Sequence, residues 1–188
     1  MKNKLLLIPV ILFLFSCDEP YLKPKGYPLI EIPASEFVPF ESCFFTTERP
    51  ASTVVETKIA NAANPCWFNL SYPELNGKVH FTYLKVQDNL EELIDHSYKI
   101  KNNHLQVASN IPETVIDFPE HHVGGILFEI QGVKTASPLN FFVTDSTNHF
   151  LTGSLYFNHS PNNDSIAPLI NHITLDLNHF LKNLKWKE

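Results

Sequence analysis

The first seventeen residues decide where this chain folds. Lys2 and Lys4 form a short basic head, Leu5 to Phe15 is an almost unbroken apolar run, and Ser16 stands directly before Cys17. The run is too short to cross a bilayer, which takes roughly 20 apolar residues. A basic head, an apolar stretch and a small residue ahead of a cysteine read as a lipoprotein signal peptide over residues 1–16. Cleavage there makes Cys17 the new N-terminus and the site of lipidation. An ordinary secretory signal or a membrane anchor helix is the competing reading, and bulky Phe15 is the one departure from the cleavage pattern. Everything after Cys17 is therefore expected outside the cytoplasm, held to the lipid bilayer through acylated Cys17. Several acyl chains on one cysteine hold far more firmly than one, whose binding is marginal.

That location changes how the remainder is read. About 172 residues are left after cleavage, enough for one domain with a full core. Removing Lys2 and Lys4 and no acidic residue takes the formal charge from −6 to about −8. An acidic domain without a basic run is a poor binder of nucleic acid and does not cling to anionic headgroups by charge. Two further cysteines, Cys43 and Cys66, lie in what is then an oxidising compartment, where an even pair invites a disulfide. Closing that loop stabilises the fold by roughly 3 kcal/mol in the chain-entropy model. Two buried thiols are the alternative. The spacing is far from Cys-x-x-Cys, which argues against a catalytic dithiol.

Residues 17–26 read as the lipidated cysteine and a tether, since Pro20, Pro24, Gly26 and the charges between them disfavour helix and burial. A single globular domain is expected over residues 27–188. Leu29 to Ile32, between Pro28 and Pro33, suggests an edge strand. Cys43-Phe44-Phe45 and Thr53-Val54-Val55 suggest short strands, and Ala60 to Asn64 a loop. Trp67 to Leu70 and Lys78 to Val86 read as strands joined at Asn76-Gly77, a pair suited to a type I′ turn. Asp88 is placed to cap a helix with Glu91 in the reciprocal position, and Leu90, Leu93 and Ile94 supply its buried stripe before Asn102-Asn103 ends it. Gly125 to Gln131, Leu139 to Thr144 and Phe150 to Asn158 read as three more strands, the last two joined by the turn-forming Asp145-Ser146-Thr147-Asn148. A closing helix is expected from Ser165 to Leu184, capped by Asp164 and Ser165, with Pro168 tolerated in its first turn. Strands and helices that do not strictly alternate predict an α+β fold, a mainly antiparallel sheet flanked by helices.

Several constellations carry candidate chemistry. His172, Asp176 and His179 share one flank of the last helix and are types that zinc accepts, but polar residues border the apolar stripe of any amphipathic helix. No Glu-x-x-His or His-Glu-x-x-His pattern supports a metal. His121-His122-Val123-Gly124-Gly125 fits a turn better than a ligand loop. Asp145, Ser146 and His149 are the residue types of a nucleophilic triad, but neighbours in a tight hairpin do not line up hydroxyl, imidazole and carboxylate in order. Trp67, Tyr83 and Tyr156 are the aromatics on which a glycan or small-ligand patch would rest. Trp186 lies where a partner would cover it. No catalytic residue, metal or cofactor is assigned.

Beyond these patterns, Cys17 followed by Pro24-Lys25-Gly26-Tyr27 and Leu29-Ile30-Glu31-Ile32-Pro33 resembles the opening of the gliding-motility lipoprotein GldD family. The resemblance continues in Cys66-Trp67-Phe68-Asn69, Asn76-Gly77-Lys78-Val79-His80 and Asn89-Leu90-Glu91-Glu92-Leu93-Ile94-Asp95. Its most specific stretches are Phe142 to Leu151, Gly153 to Phe157, Asn162 to Pro168 and the closing Leu184-Lys185-Trp186. Such a resemblance implies a non-enzymatic lipoprotein of the Bacteroidetes type, required for gliding and associated with the type 9 secretion system. Its partners would be other gliding or secretion envelope proteins, and its place the outer membrane in preference to the inner. A long last helix after a strand hairpin is also similar to the PsbP/Mog1 kind of α–β sandwich, a likeness of fold alone.

Overall fold

Ten strands and two helices follow one another in the computed structural model, which describes residue 32 and residues 34–57, 66–158 and 162–187. In chain order they are β1 (Phe37–Glu41), β2 (Phe45–Pro50), β3 (Val54–Glu56), β4 (Phe68–Tyr72), β5 (Gly77–Lys85) and α1 (Leu90–Asn102). There follow β6 (Glu113–Phe118), β7 (Val123–Glu129), β8 (Leu139–Thr144), β9 (His149–Phe157), α2 (Ala167–Lys182) and β10 (Lys185–Trp186). A seven-stranded sheet runs β3-β4-β5-β9-β8-β7-β6 and a three-stranded sheet runs β1-β2-β10, with every pair antiparallel. The fold is α+β, as its non-alternating elements predict.

The large sheet is covered differently on its two faces. Phe68, Leu70, Phe81, Phe141 and Leu155 point to one side, where α2 (Ile173, Leu177, Phe180, Leu181) and Phe45 of the small sheet close the main core. Phe128, Phe142 and Phe150 point to the other and meet Leu90, Leu93, Ile94 and Tyr98 of α1. Each such side chain contributes roughly 1.5–3 kcal/mol on burial. Because β8 lies under both helical layers, all six of its residues are buried, and its sequence Leu-Asn-Phe-Phe-Val-Thr does not alternate. Two glycines permit this packing: a Cβ on Gly125 would stand 2.0 Å from the Phe142 carbonyl oxygen, and one on Gly153 2.5 Å from the Phe141 ring.

Several local expectations give way to other chemistry. Asn76-Gly77 does join a hairpin, but the turn is a 3-10 turn at Pro73–Leu75 followed by Asn76 in the left-handed region (φ 52°), and Gly77 already belongs to β5. Gly77 is instead pressed by Phe157 and Ile173. Asp88 adopts φ 59° and does not cap α1; the Asn89 side chain accepts the Gln87 N–H at 2.8 Å, and Glu91 and Glu92 face the positive end of the helix. Asp164 and Ser165 likewise leave α2 uncapped, since Ser165 donates back to the Asn162 carbonyl at 2.8 Å. Cys43 and Phe44 lie in the bend between β1 and β2 and not within a strand. Leu184 is buried beyond the end of α2. The strand expected at Leu29 to Ile32, Ile32 excepted, and the loop from Ala60 to Asn64 lie outside the described residues, as do Cys17 and the tether.

Candidate functional site

The polar flank of α2 faces the start of the domain, and its groups divide between two partners. His172 Nε2 lies 3.3 Å from the Ser35 hydroxyl and 3.5 Å from Asp176 Oδ2. His179 turns the other way, bonding Glu48 of β2 at 2.7 Å and stacking on Phe37 with ring centroids 3.6 Å apart. The flank that the helical spacing predicts is therefore real, but its two histidines do not converge. Among the described residues no group of three or more His, Cys, Asp or Glu is placed to hold a metal ion.

Ser35, His172 and Asp176 resemble a nucleophile, base and carboxylate, but serine and aspartate meet the same ring nitrogen. A relay needs the hydroxyl on one nitrogen and the carboxylate on the other, so this geometry cannot pass a proton through the ring. Asp176 is 3 % exposed, and burial holds its carboxyl above the ordinary range against the Ser35 hydroxyl, His172, the Tyr72 hydroxyl and His179. Tyr72, buried beside it, is raised well above the usual phenol range by burial first and then by Asp176. A cavity of about 450 Å³ opens alongside, lined by Ile32, Ser35, Glu36, Tyr72, Leu75 and His172.

A second cluster ties the two sheets together. Cys43, in the β1–β2 bend, is bonded to Cys66, two residues before β4, with their Cα atoms 5.7 Å apart. Beside it Phe44 stacks on Tyr83 (4.2 Å), the Tyr83 hydroxyl meets His149 Nδ1 at 2.9 Å, and His149 stacks on Trp186 (5.0 Å). Trp186 Nε1 donates to the His122 carbonyl at 3.1 Å, and its half-buried ring packs edge-on against Phe45 as well as on His149. Burial lowers the His149 imidazole below its ordinary value, with Asp145 and the Lys187 backbone opposing. The Tyr83 hydroxyl is pushed up to about 12, by burial and then by Asp145. Both shifts favour a neutral pair, with the Tyr83 O–H donating to Nδ1.

The remaining candidates are structural. Asp145 Oδ1 accepts the backbone N–H groups of Thr147, Asn148 and His149 at 2.8–3.0 Å, and closes the β8–β9 turn. Burial opposes its ionisation, but these three donors prevail and lower its carboxyl below the usual range. Ser146 lies at the turn tip (φ 67°), where its backbone N–H bonds the Thr144 hydroxyl at 2.9 Å. His121 and His122 form the β6–β7 turn. Tyr83 is buried in the main core while Tyr156, 39 % exposed, sits with His80 on the opposite face, and Trp67 donates to the Tyr83 carbonyl at 3.1 Å. The three aromatics therefore form no common patch. A cleft of about 810 Å³ lies between the β7–β8 connection and the start of α2, with Ile130, Val133, Ala167 and Ile170 in its wall. Ser35 and Glu48, partners of the α2 histidines, are not signalled locally in the sequence, because 137 and 131 positions separate them from His172 and His179.

A family model described as gliding motility lipoprotein GldD matches residues 17–186. Comparison with curated proteins finds no match.

Proposed function

With this chain a member of the gliding motility lipoprotein GldD family, we propose that it works as a non-enzymatic docking component of the cell envelope. In this reading lipid on Cys17 fixes the domain to a membrane, the outer membrane in preference to the inner, and residues 18–26 set its reach. Its folded surface then engages proteins of the gliding machinery and the type 9 secretion system. Holding two proteins on one surface raises their effective concentration, so that weak contacts become productive.

The observation that carries the reading is that the match to a lipoprotein family begins on Cys17 itself and runs to residue 186. The side chains that catalysis would draw on also hold the fold together: His172 and His179 tie α2 to Ser35 and to Glu48 of β2, His149 stacks on Trp186 between the two sheets, and Asp145 closes a turn. Replacing Cys17→Ser in the full chain tests the proposal. The altered protein is expected to leave the membrane fraction, and the cells to lose gliding and secretion of surface adhesins. Cells that glide normally with an unlipidated chain would overturn it.

A further inference from the structure

Sheet edges that a protein does not use are normally blunted, because their free backbone groups invite other strands. Among the described residues three of the four edge strands are short or interrupted. β10 has two residues and β3 has three. In β1 the Ala51 N–H bonds the Glu36 carbonyl, and the alternating ladder then turns Phe37, Pro39 and Glu41 outward. Pro39 offers no donor there, so β1 is interrupted at its centre.

β6 is different. It has six residues, no proline and an unbroken register with β7. The Glu129 N–H bonds the Pro112 carbonyl, and by alternation Thr114, Ile116 and Phe118 bond to β7. Glu113, Val115 and Asp117 therefore aim one N–H and one C=O each at the free edge. Val115, between the two carboxylates, is 75 % exposed. Glu113 reaches Lys101 at 3.0 Å, while Asp117 makes no ion pair among the described residues. Glu120 stands exposed just beyond the strand.

These charges select the occupant. A second copy paired antiparallel with full overlap would set Val115 against Val115 and Glu113 against Asp117 at both ends. Like charges directly opposed across a pair are destabilising. A strand with basic residues four apart places both on the same face as the two carboxylates, since side chains alternate with period two. We propose that β6 is a docking edge, adding to the large sheet an extended segment of another envelope protein that carries Lys or Arg four residues apart around a central apolar residue. The inference rests on the docking reading above and gives it a surface.

The test places a photo-crosslinking phenylalanine analogue at exposed Thr114 of the full-length, lipidated chain in gliding cells. The expected adduct joins a segment of another protein with that basic-apolar-basic pattern. Val115→Pro removes an outward N–H without touching the β7 ladder and is expected to reduce adduct yield about tenfold. Glu113→Lys alone sets its new lysine opposite Asp117 of a second copy and should yield a self-adduct. Glu113→Lys with Asp117→Lys should lose both products, and keeps the test valid if the proline variant fails to fold. No adduct, a self-adduct of the unaltered chain, or an adduct indifferent to these changes would overturn the assignment. A lysine-reactive crosslinker on the same cells separates the two readings. Partners caught by it but not from position 114 overturn the edge and leave docking standing; partners caught by neither overturn both.

Discussion

Asp176 shows at single-residue scale how this domain uses ionisable groups. Its Oδ2 has no hydrogen-bond donor and meets only the His172 ring, while the Ser35 and Tyr72 hydroxyls bond the carboxylate. Burial raises its carboxyl above the ordinary range. An aspartate raised in the folded state stabilises the fold below its unfolded pKa, and that contribution is lost as pH rises through the folded value. Asp176→Asn removes the titration and keeps an acceptor for Tyr72. Urea midpoints of the two proteins should therefore diverge in favour of the asparagine variant as pH rises above the unfolded aspartate value of about 4. The groups around it are His172, His179, Tyr72 and Ser35; a difference that does not change with pH would contradict this assignment. The helical spacing of His172, Asp176 and His179 was legible as a shared flank, because it follows from 3.6 residues per turn. What each histidine touches was not, since Ser35 and Glu48 arrive from another part of the chain.

At the scale of elements, strong periodicity was readable and turn chemistry was less so. α1, α2 and strands β4, β5, β7, β8 and β9 follow from apolar patterning to within a few residues. β1, β6 and β10 carry no such signal because each has at most one buried residue, and prolines bracket β6 at Pro112 and Pro119. A signal for β6 was nonetheless present. Tyr72-Pro73-Glu74-Leu75-Asn76 and Phe118-Pro119-Glu120-His121-His122 build the same turn, each a 3-10 turn ending on a residue at φ 52°. An aromatic-Pro-Glu sequence that closes one hairpin therefore marks a second, with β6 as its first arm. The Cys43–Cys66 bond belongs to this scale too, joining the small sheet to the large one across 23 positions. Replacing both cysteines by serine should lower the unfolding free energy by roughly 3 kcal/mol, read from urea curves. The variant should also be insensitive to added reductant, unlike the parent. A variant as stable as the parent would mean that the aromatic seam of Phe44, Tyr83, His149 and Trp186 holds the sheets together unaided.

For the whole molecule, the chain divides its labour between an anchor and a domain. In the proposed account the anchor is Cys17 behind the signal peptide read at residues 1–16, a pattern that needs no fold to be recognised. The domain's contribution is less legible, since a docking surface is defined by what the fold leaves uncovered. Two helical layers cover the middle of the large sheet, and among the described residues β6 remains as its long open margin. No helix among the described residues is long and apolar enough to cross a membrane. In this account lipid on Cys17 holds the domain at the surface where its partners lie. The most direct measurement compares in-cell crosslinking of the full chain with that of Cys17→Ser, expressed to equal amounts in gliding cells. The account predicts adducts with envelope proteins of the gliding and secretion machinery from the lipidated chain, and their loss from the serine variant. Equal adducts from both chains would contradict it.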